Sequence, residues 1–341
     1  MIPSPDAVRV AIAGAASLRG KELKIFLEES NFPAGEIRLL DEEIVAGTLT
    51  EAGGEPAVIE TVDEDSFERV RFAFFTGSAG FSVRHGGEAR RAGATVIDLS
   101  GGLGLEPGAR PWIPALDAVL ASPEAKVAPG TPQSLFLAPS APADVAISLS
   151  AALAPMGLER LALTIFQPVS ERGREGVEEL ESQVVKLLSF EPIPQKVFDA
   201  QVGFNLLRAY GEESSEKLGD IRAGIVSEVR NYLGGRVPVP AISLVQAPVF
   251  YSHAFMAYAE FTGVPVVKDL VARLKHAGLK IAAPDDPAPD NVNVAGEARP
   301  VVRQPELDQG IETGVWLWGA ADNLRVPAAT AVAIAEKLLA S

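Results

Sequence analysis

Three stretches of this sequence combine the residue types and spacing that chemistry needs. The first runs Phe136-Leu137-Ala138-Pro139-Ser140-Ala141-Pro142-Ala143-Asp144. An apolar strand meets a tight Pro/Ser turn and then an alanine-rich helix. Such a turn presents a nucleophile, with backbone N–H groups aimed at a developing oxyanion. The nucleophile position is Ala141, and a methyl group can neither attack a carbonyl nor leave as an anion. Ser140, one residue earlier, could act as a hydrolase nucleophile with His253 as its base, but no partner acid is identifiable from the sequence.

The second stretch is Tyr251-Ser252-His253, and Gln167 stands separately at the end of Leu161-Ala162-Leu163-Thr164-Ile165-Phe166. A histidine near its ordinary value of about 6.5 suits acid–base work. The bland alternatives are a ring hydrogen-bonded beside a sheet and a buried glutamine at a strand end. The histidines are His85, His253 and His276, none with a partner at ligand spacing, so no metal site is expected. The chain has no cysteine, which excludes disulfides, thiolate metal sites and thiol mechanisms.

The third stretch is Val8-Arg9-Val10-Ala11-Ile12-Ala13-Gly14, followed by Ala15-Ala16-Ser17-Leu18-Arg19-Gly20 and a helix with Leu23, Phe26 and Leu27 on one face. Strand, small-residue turn and helix form the context for a dinucleotide's pyrophosphate. Gly14 allows the turn and Gly20 allows close helix packing. Ser17 stands where glycine would bring the backbone closest to phosphate. The next strand, Ile37-Arg38-Leu39-Leu40, ends in Asp41-Glu42-Glu43. An acid there suits a ribose 2′-hydroxyl and repels a 2′-phosphate, favouring NAD over NADP.

These stretches need a scaffold. The chain has 341 residues, 47% apolar and 22% charged, enough for two domains with full cores. The net charge of −15 argues against nucleic acid as a partner. No signal-like N-terminus or apolar run of membrane-spanning length is evident, so a cytoplasmic protein without a membrane partner is expected. Strands at 57–61, 70–75 and 95–98 alternate with helices, one at about 82–92. The loops 76–80, with Thr76, Gly77 and Ser78, and 100–104 leave strand carboxyl ends, where such sheets bind ligands. In the second half, helices are expected at about 143–154 and from Arg172, the latter with Val177, Leu180, Val184 and Leu187 on one face. Strands at 241–244, 247–251 and 254–261, then 314–318, suggest a partly antiparallel sheet before a final helix.

With these landmarks in order the chain resembles, end to end, the aspartate-semialdehyde dehydrogenase family. The resemblance rests on Gly14 and Gly20, Asn31-Phe32-Pro33, Phe74-Phe75, Val96-Ile97-Asp98, Gln167-Pro168-Val169-Ser170, Phe204-Asn205, Pro248-Val249-Phe250 with His253, and Asp322-Asn323-Leu324-Arg325. It implies an α/β fold: an N-terminal Rossmann-like doubly wound parallel sheet, residues 1–135 completed by 322–341, and an α+β domain at 136–321 with a large mixed sheet. It also implies a homodimer through the second domain. Cofactor contacts would fall at Gly14, Ala16, Ser17, Leu18, Gly20, Asp41, Thr76, Gly77, Ser78 and Asn323.

The family's reaction is reductive dephosphorylation of an acyl phosphate through a cysteine thioester, with NADPH as hydride donor. The resemblance aligns Gln167 and His253 with the substrate-placing glutamine and the proton-moving histidine, and Ala141 with the cysteine. Gly104 falls where an arginine grips the substrate phosphate, and Gly224 near a second basic position. Ile44 falls near the arginine for the NADP 2′-phosphate, and Val326-Pro327 replaces a Lys-Gly pair. The expectation is a dimeric, nucleotide- or partner-binding member that does not catalyse the family reaction. The alternative is an NAD-dependent oxidoreductase that exchanges hydride directly with a carbonyl, with His253 as acid or base.

Overall fold

The structure is a computed structural model that describes residues 7–45, 47–52, 55–120 and 134–340. The chain divides into two compact units, one within 1–117, 121–140 and 327–341, the other within 118–120 and 141–326.

The first unit contains β1 (Val8–Ala13), α1 (Leu18–Glu29), β2 (Ala34–Asp41), β3 (Leu49–Ala52), β4 (Glu55–Val58), β5 (Glu60–Thr61), β6 (Phe72–Phe75), α2 (Ala79–Arg91), β7 (Thr95–Asp98) and β8 (Ala109–Pro111). After the short helix α3 (Asp117–Leu120) comes β9 (Leu135–Leu137). Among the described residues seven strands form one sheet in the order β5-β2-β1-β6-β7-β9-β8. All strand pairings in it among the described residues are parallel. The order reverses between β1 and β6, the point at which such sheets bind ligands.

Successive residues of these strands face opposite layers. Val10, Ile12, Phe72 and Phe74 pack with Leu23 and Leu27 of α1 and with Ala331, Ile334 and Leu338 of the C-terminal helix. Ala11, Ala13, Ala73 and Phe75 pack on the other side with Phe81 and Ala89 of α2. This double coverage explains the near-continuous apolar strands, and each fully buried phenylalanine contributes on the order of 2–3 kcal/mol.

Two expectations are corrected here. The run 57–61 is not one strand. Ile59 breaks it, donating its N–H to Thr48 and accepting from Gly47, so β4 pairs with β3 in a small hairpin and β5 joins the main sheet. Helix α2 begins at Ala79 because the Ser78 hydroxyl accepts the Phe81 N–H as an N-cap.

The second unit continues with α4 (Ala141–Leu153), β10 (Leu158–Gln167), α5 (Gly173–Leu188), α6 (Leu218–Leu233), β11 (Ala241–Gln246), β12 (His253–Phe261), α7 (Val267–His276), β13 (Lys280–Ile281), β14 (Val301–Val302), β15 (Glu306–Leu307) and β16 (Gly314–Ala321). Helix α8 (Arg325–Ala340) closes the chain. The sheet runs β11-β10-β12-β16-β14-β13, with β15 also on β16. It is mixed: β10–β11 and β13–β14 are parallel, while β12 runs antiparallel to β10 and β16.

Helix α4 is buried on every side, as an all-round apolar helix must be, and it packs against α6 and α7. On β12 and β16, by contrast, Met256, Trp316 and Trp318 stay exposed. The expected strand at 247–251 is a turn. Its Val249 and Phe250 carbonyls accept the N–H groups of Val169 and Ser170. Ser252 then takes a left-handed φ of 66° before β12 starts. Helix α5 also differs from its expected apolar stripe. Val177, Val184 and Leu187 are half-buried, whereas Glu179 and Gln183 are buried.

Candidate functional site

At the carboxyl edge of the parallel sheet, Gly14 turns the chain with φ 94°. A Cβ there would lie 2.2 Å from the Gly77 nitrogen, so the β1 and β6 loops meet backbone to backbone. The Ser17 hydroxyl caps α1 by accepting the Gly20 N–H at 2.9 Å and donates to the Thr76 carbonyl at 2.9 Å. The Thr76 hydroxyl bonds the carbonyls of Ala13 and Gly14 at 3.2 and 3.0 Å. Asp41 accepts the Ala16 N–H at 2.8 Å and the Glu42 N–H at 2.8 Å. Glu42 pairs with Arg84 of α2.

These contacts bring Gly14, Ala16, Ser17, Leu18, Gly20, Asp41, Thr76, Gly77 and Ser78 to one edge. The turn and the N-terminus of α1 fit a pyrophosphate, since the helix end carries partial positive charge. The fit to a ribose is acidic: Asp41 retains lone pairs beyond its two backbone contacts, and Glu42 adds negative charge. One loop along, Asp98 is buried and accepts the N–H of Ser100 at 2.9 Å and of Leu103 at 3.0 Å. Burial pushes its carboxyl up, against these hydrogen bonds. Leu103 tucks against Gly86 of α2, where an added Cβ would meet its methyl at 2.8 Å.

A separate polar cluster lies at one end of the mixed sheet. The ladder Phe166↔Ala254 sets Gln167 and His253 side by side at the ends of β10 and β12. Gln167 is held in a buried network: its Nε2 donates to the Tyr210 hydroxyl at 3.1 Å, and that hydroxyl donates to Gln246 Oε1 at 2.6 Å. Burial raises the Tyr210 phenol. His253 is 1% exposed, and neither ring nitrogen has a hydrogen-bond partner among the described residues. The nearest carboxylate is Glu171, 4.0 Å from Nε2. Burial pushes the ring's pKa down, opposed by Glu171 and Asp322.

Asn323 links this cluster. Its Oδ1 accepts the Ser252 N–H at 2.9 Å, and its Nδ2 donates to Ser170 Oγ at 3.1 Å and to Glu171 at 3.0 Å. Arg172 pairs with Glu216 and leaves its Nε buried without a partner among the described residues. Ala141, the first residue of α4, is 1% exposed. Glu171, Arg172, Tyr210 and Gln246 were not singled out from sequence. The one signal was two charges directly after Gln167-Pro168-Val169-Ser170.

Residues 9–129 match the model of the semialdehyde dehydrogenase NAD binding domain, and residues 149–326 that of the semialdehyde dehydrogenase dimerisation domain. The chain belongs to the semialdehyde dehydrogenase family. Within the family it is 33% identical to a USG-1 protein homolog of Pseudomonas aeruginosa, over 97% of this chain and 98% of that one. The structure of a probable aspartate-semialdehyde dehydrogenase from Pseudomonas aeruginosa superposes with TM-score 0.84 at 32% identity, covering 97% and 98% of the two chains. Aspartate semialdehyde dehydrogenase II from Vibrio cholerae superposes with TM-score 0.85 at 25% identity, covering 98% and 99%.

This semialdehyde dehydrogenase family member therefore has a Rossmann-like parallel sheet and a second, large mixed sheet. Among the described residues no helix is long and apolar enough to cross a membrane, and no three His, Asp or Glu side chains are placed to hold a metal.

Proposed function

We propose that this protein is an NAD(H)-binding homodimer of the semialdehyde dehydrogenase family that does not carry out the thiol-dependent family reaction. The observation that carries the reading is Ala141 at the first turn of buried α4, in a chain without cysteine. A thioester requires a thiol, and without cysteine no side chain supplies one. Leu103 adds support: the loop expected to offer an arginine to a substrate phosphate closes on the apolar layer of α2. Asp41 and Glu42 beside the Gly14 turn support NAD(H) over NADP(H). The exposed Met256, Trp316 and Trp318 support self-association through the outer face of the mixed sheet.

The test has two arms. Aspartate semialdehyde, phosphate and NAD or NADP should give no absorbance change at 340 nm, and calorimetry should detect NAD and NADH but not NADP or NADPH. Turnover near an ordinary enzyme's rate of about 10 s⁻¹ would overturn the inactive reading, and silence for all four nucleotides would overturn the cofactor reading.

The buried, unpartnered ring of His253 favours one alternative, direct hydride exchange between NAD(H) and a carbonyl compound. Bound NADH would supply the hydride to the carbonyl carbon, and His253 would supply the proton to its oxygen. A substrate screen with His253→Ala as control separates the two readings: only the alternative predicts turnover that the variant loses.

A further inference from the structure

Buried polar atoms in native proteins are almost always hydrogen-bonded, so a histidine with two bare ring nitrogens needs a physical account. The gap to Glu171 is 4.0 Å, too long for a hydrogen bond but well within Coulombic reach. Its length is fixed from both ends by one residue. Asn323, 3% exposed, accepts the N–H of Ser252 immediately before the ring and donates to Glu171 itself. Ser252 holds a left-handed φ of 66°, which a serine adopts only under constraint, so the turn is held rather than relaxed. His253 is sealed from solvent, whereas the Glu171 side chain is 23% exposed. Glu171 is thus a carboxylate that reaches both the ring and water.

We propose that Glu171 is the positioning residue of His253: it sets the charge of the ring and carries its proton to and from solvent, with Asn323 fixing the distance. In that step a proton leaves Nε2, crosses the 4.0 Å gap through one bridging water oxygen to the Glu171 carboxylate, and passes to bulk water. No other bond changes. The inference deepens the acid–base reading of His253 and rests on it for any role in turnover, but the pairing itself is a property of the protein alone.

The other groups around the ring sharpen the assignment. Asp322, at the end of β16, also acts on His253, but its carboxylate is engaged by the N–H groups of Gly296, Leu324 and Arg325. Arg172 beside Glu171 is paired with Glu216. The Tyr210 phenol, raised by burial, stays neutral. Glu171, itself held by Asn323, is the carboxylate that comes within 4.0 Å of the ring, and it also meets solvent.

The chain has three histidines, so proton NMR titration of the imidazole signals resolves them, with His85→Gln and His276→Gln supplying assignments. In Glu171→Gln, which keeps an acceptor for Asn323, the His253 midpoint should fall by about 1 unit or more, in line with the effect of a nearby opposite charge. Glu171→Asp should restore part of the shift, and Asp322→Asn should move the midpoint less than Glu171→Gln. Asn323→Ala should lower it as well. His85 and His276 should not move. A His253 midpoint unchanged within about 0.3 unit in Glu171→Gln, a larger shift from Asp322→Asn, or a wild-type ring that stays neutral down to acid unfolding would each overturn the proposal. Failure of the hydride-transfer reading would appear only in the substrate screen and would leave this titration unaffected.

Discussion

The carboxyl edge of the parallel sheet and the cluster around His253 handle polar side chains in opposite ways. At the first, Ser17, Asp41, Thr76, Ser78 and Asp98 each hydrogen-bond the backbone of a loop or a helix end. At the second, both nitrogens of His253, Ser252 Oγ and Arg172 Nε are buried without partners among the described residues. The first pattern is that of groups that shape loops. The second is that of groups held in place for a purpose other than stability, since an unpartnered buried polar group costs about 1–3 kcal/mol. Removing a satisfied group should therefore damage the fold, and removing an orphaned one should not.

The largest effect is expected at Glu179, a satisfied carboxylate within the same unit as His253. It accepts the N–H groups of Lys196 and Val197 at 2.7 Å each and of Phe198 at 3.3 Å. Glu179→Ala strands these amides and should lower stability by about 4 kcal/mol in urea unfolding. A loss under about 1 kcal/mol would mean that satisfied and orphaned groups do not differ in what they contribute to the fold. Asp98→Ala, in the other unit, should cost about 3 kcal/mol by releasing Ser100 and Leu103, and Asp98→Asn should cost less because it keeps one acceptor oxygen.

Much of the first unit was legible because its physics is local. Continuous apolar strands between amphipathic helices admit few arrangements, and the Gly14 turn and the Ser17 cap on Gly20 are set within a few residues. The second unit was read less well where distant polar groups decide the structure. Gln167 meets Tyr210 across 43 residues and Gln246 across 79, and Asn323 meets Glu171 across 152. No periodicity signals such contacts. The apolar run Pro248-Val249-Phe250 looks like a strand, yet Pro248 lacks an N–H for a ladder and the Val249 and Phe250 carbonyls turn to Val169 and Ser170 instead. Helix α5 misled for a similar reason. Its buried Glu179 and Gln183 hold the 194–203 loop, a role that apolar patterning conceals.

A smaller effect is expected where the parallel-sheet edge meets solvent. Glu42 is paired with Arg84 and adds to the negative charge of Asp41. Glu42→Gln frees the guanidinium and removes one carboxylate, so the preference for NADH over NADPH should narrow about five- to tenfold, mostly through tighter NADPH binding. The effect should fade in high salt because both partners are exposed. An unchanged ratio in calorimetry would mean that Glu42 takes no part in the discrimination.

The smallest change in stability, and the sharpest contrast with Glu179, is expected at His253. His253→Leu replaces an unpartnered buried ring by an apolar side chain, so at pH 7.5 stability should stay the same or rise by up to about 1 kcal/mol. The pH dependence carries a definite sign. Burial holds the folded ring below the usual histidine value, so between that value and about 6.5 the unfolded chain binds more protons than the folded one. Wild-type stability must therefore drop as the pH falls through this window, and the leucine variant must drop less. Urea unfolding at pH 7.5 and pH 5.5 measures both slopes. Glu171 and Asp322 act against the drop by favouring the charged ring, so Glu171→Gln should steepen it. Equal slopes in the wild type and in His253→Leu would mean that the ring gains its proton without cost, and His253 would then belong with the satisfied groups of the other unit.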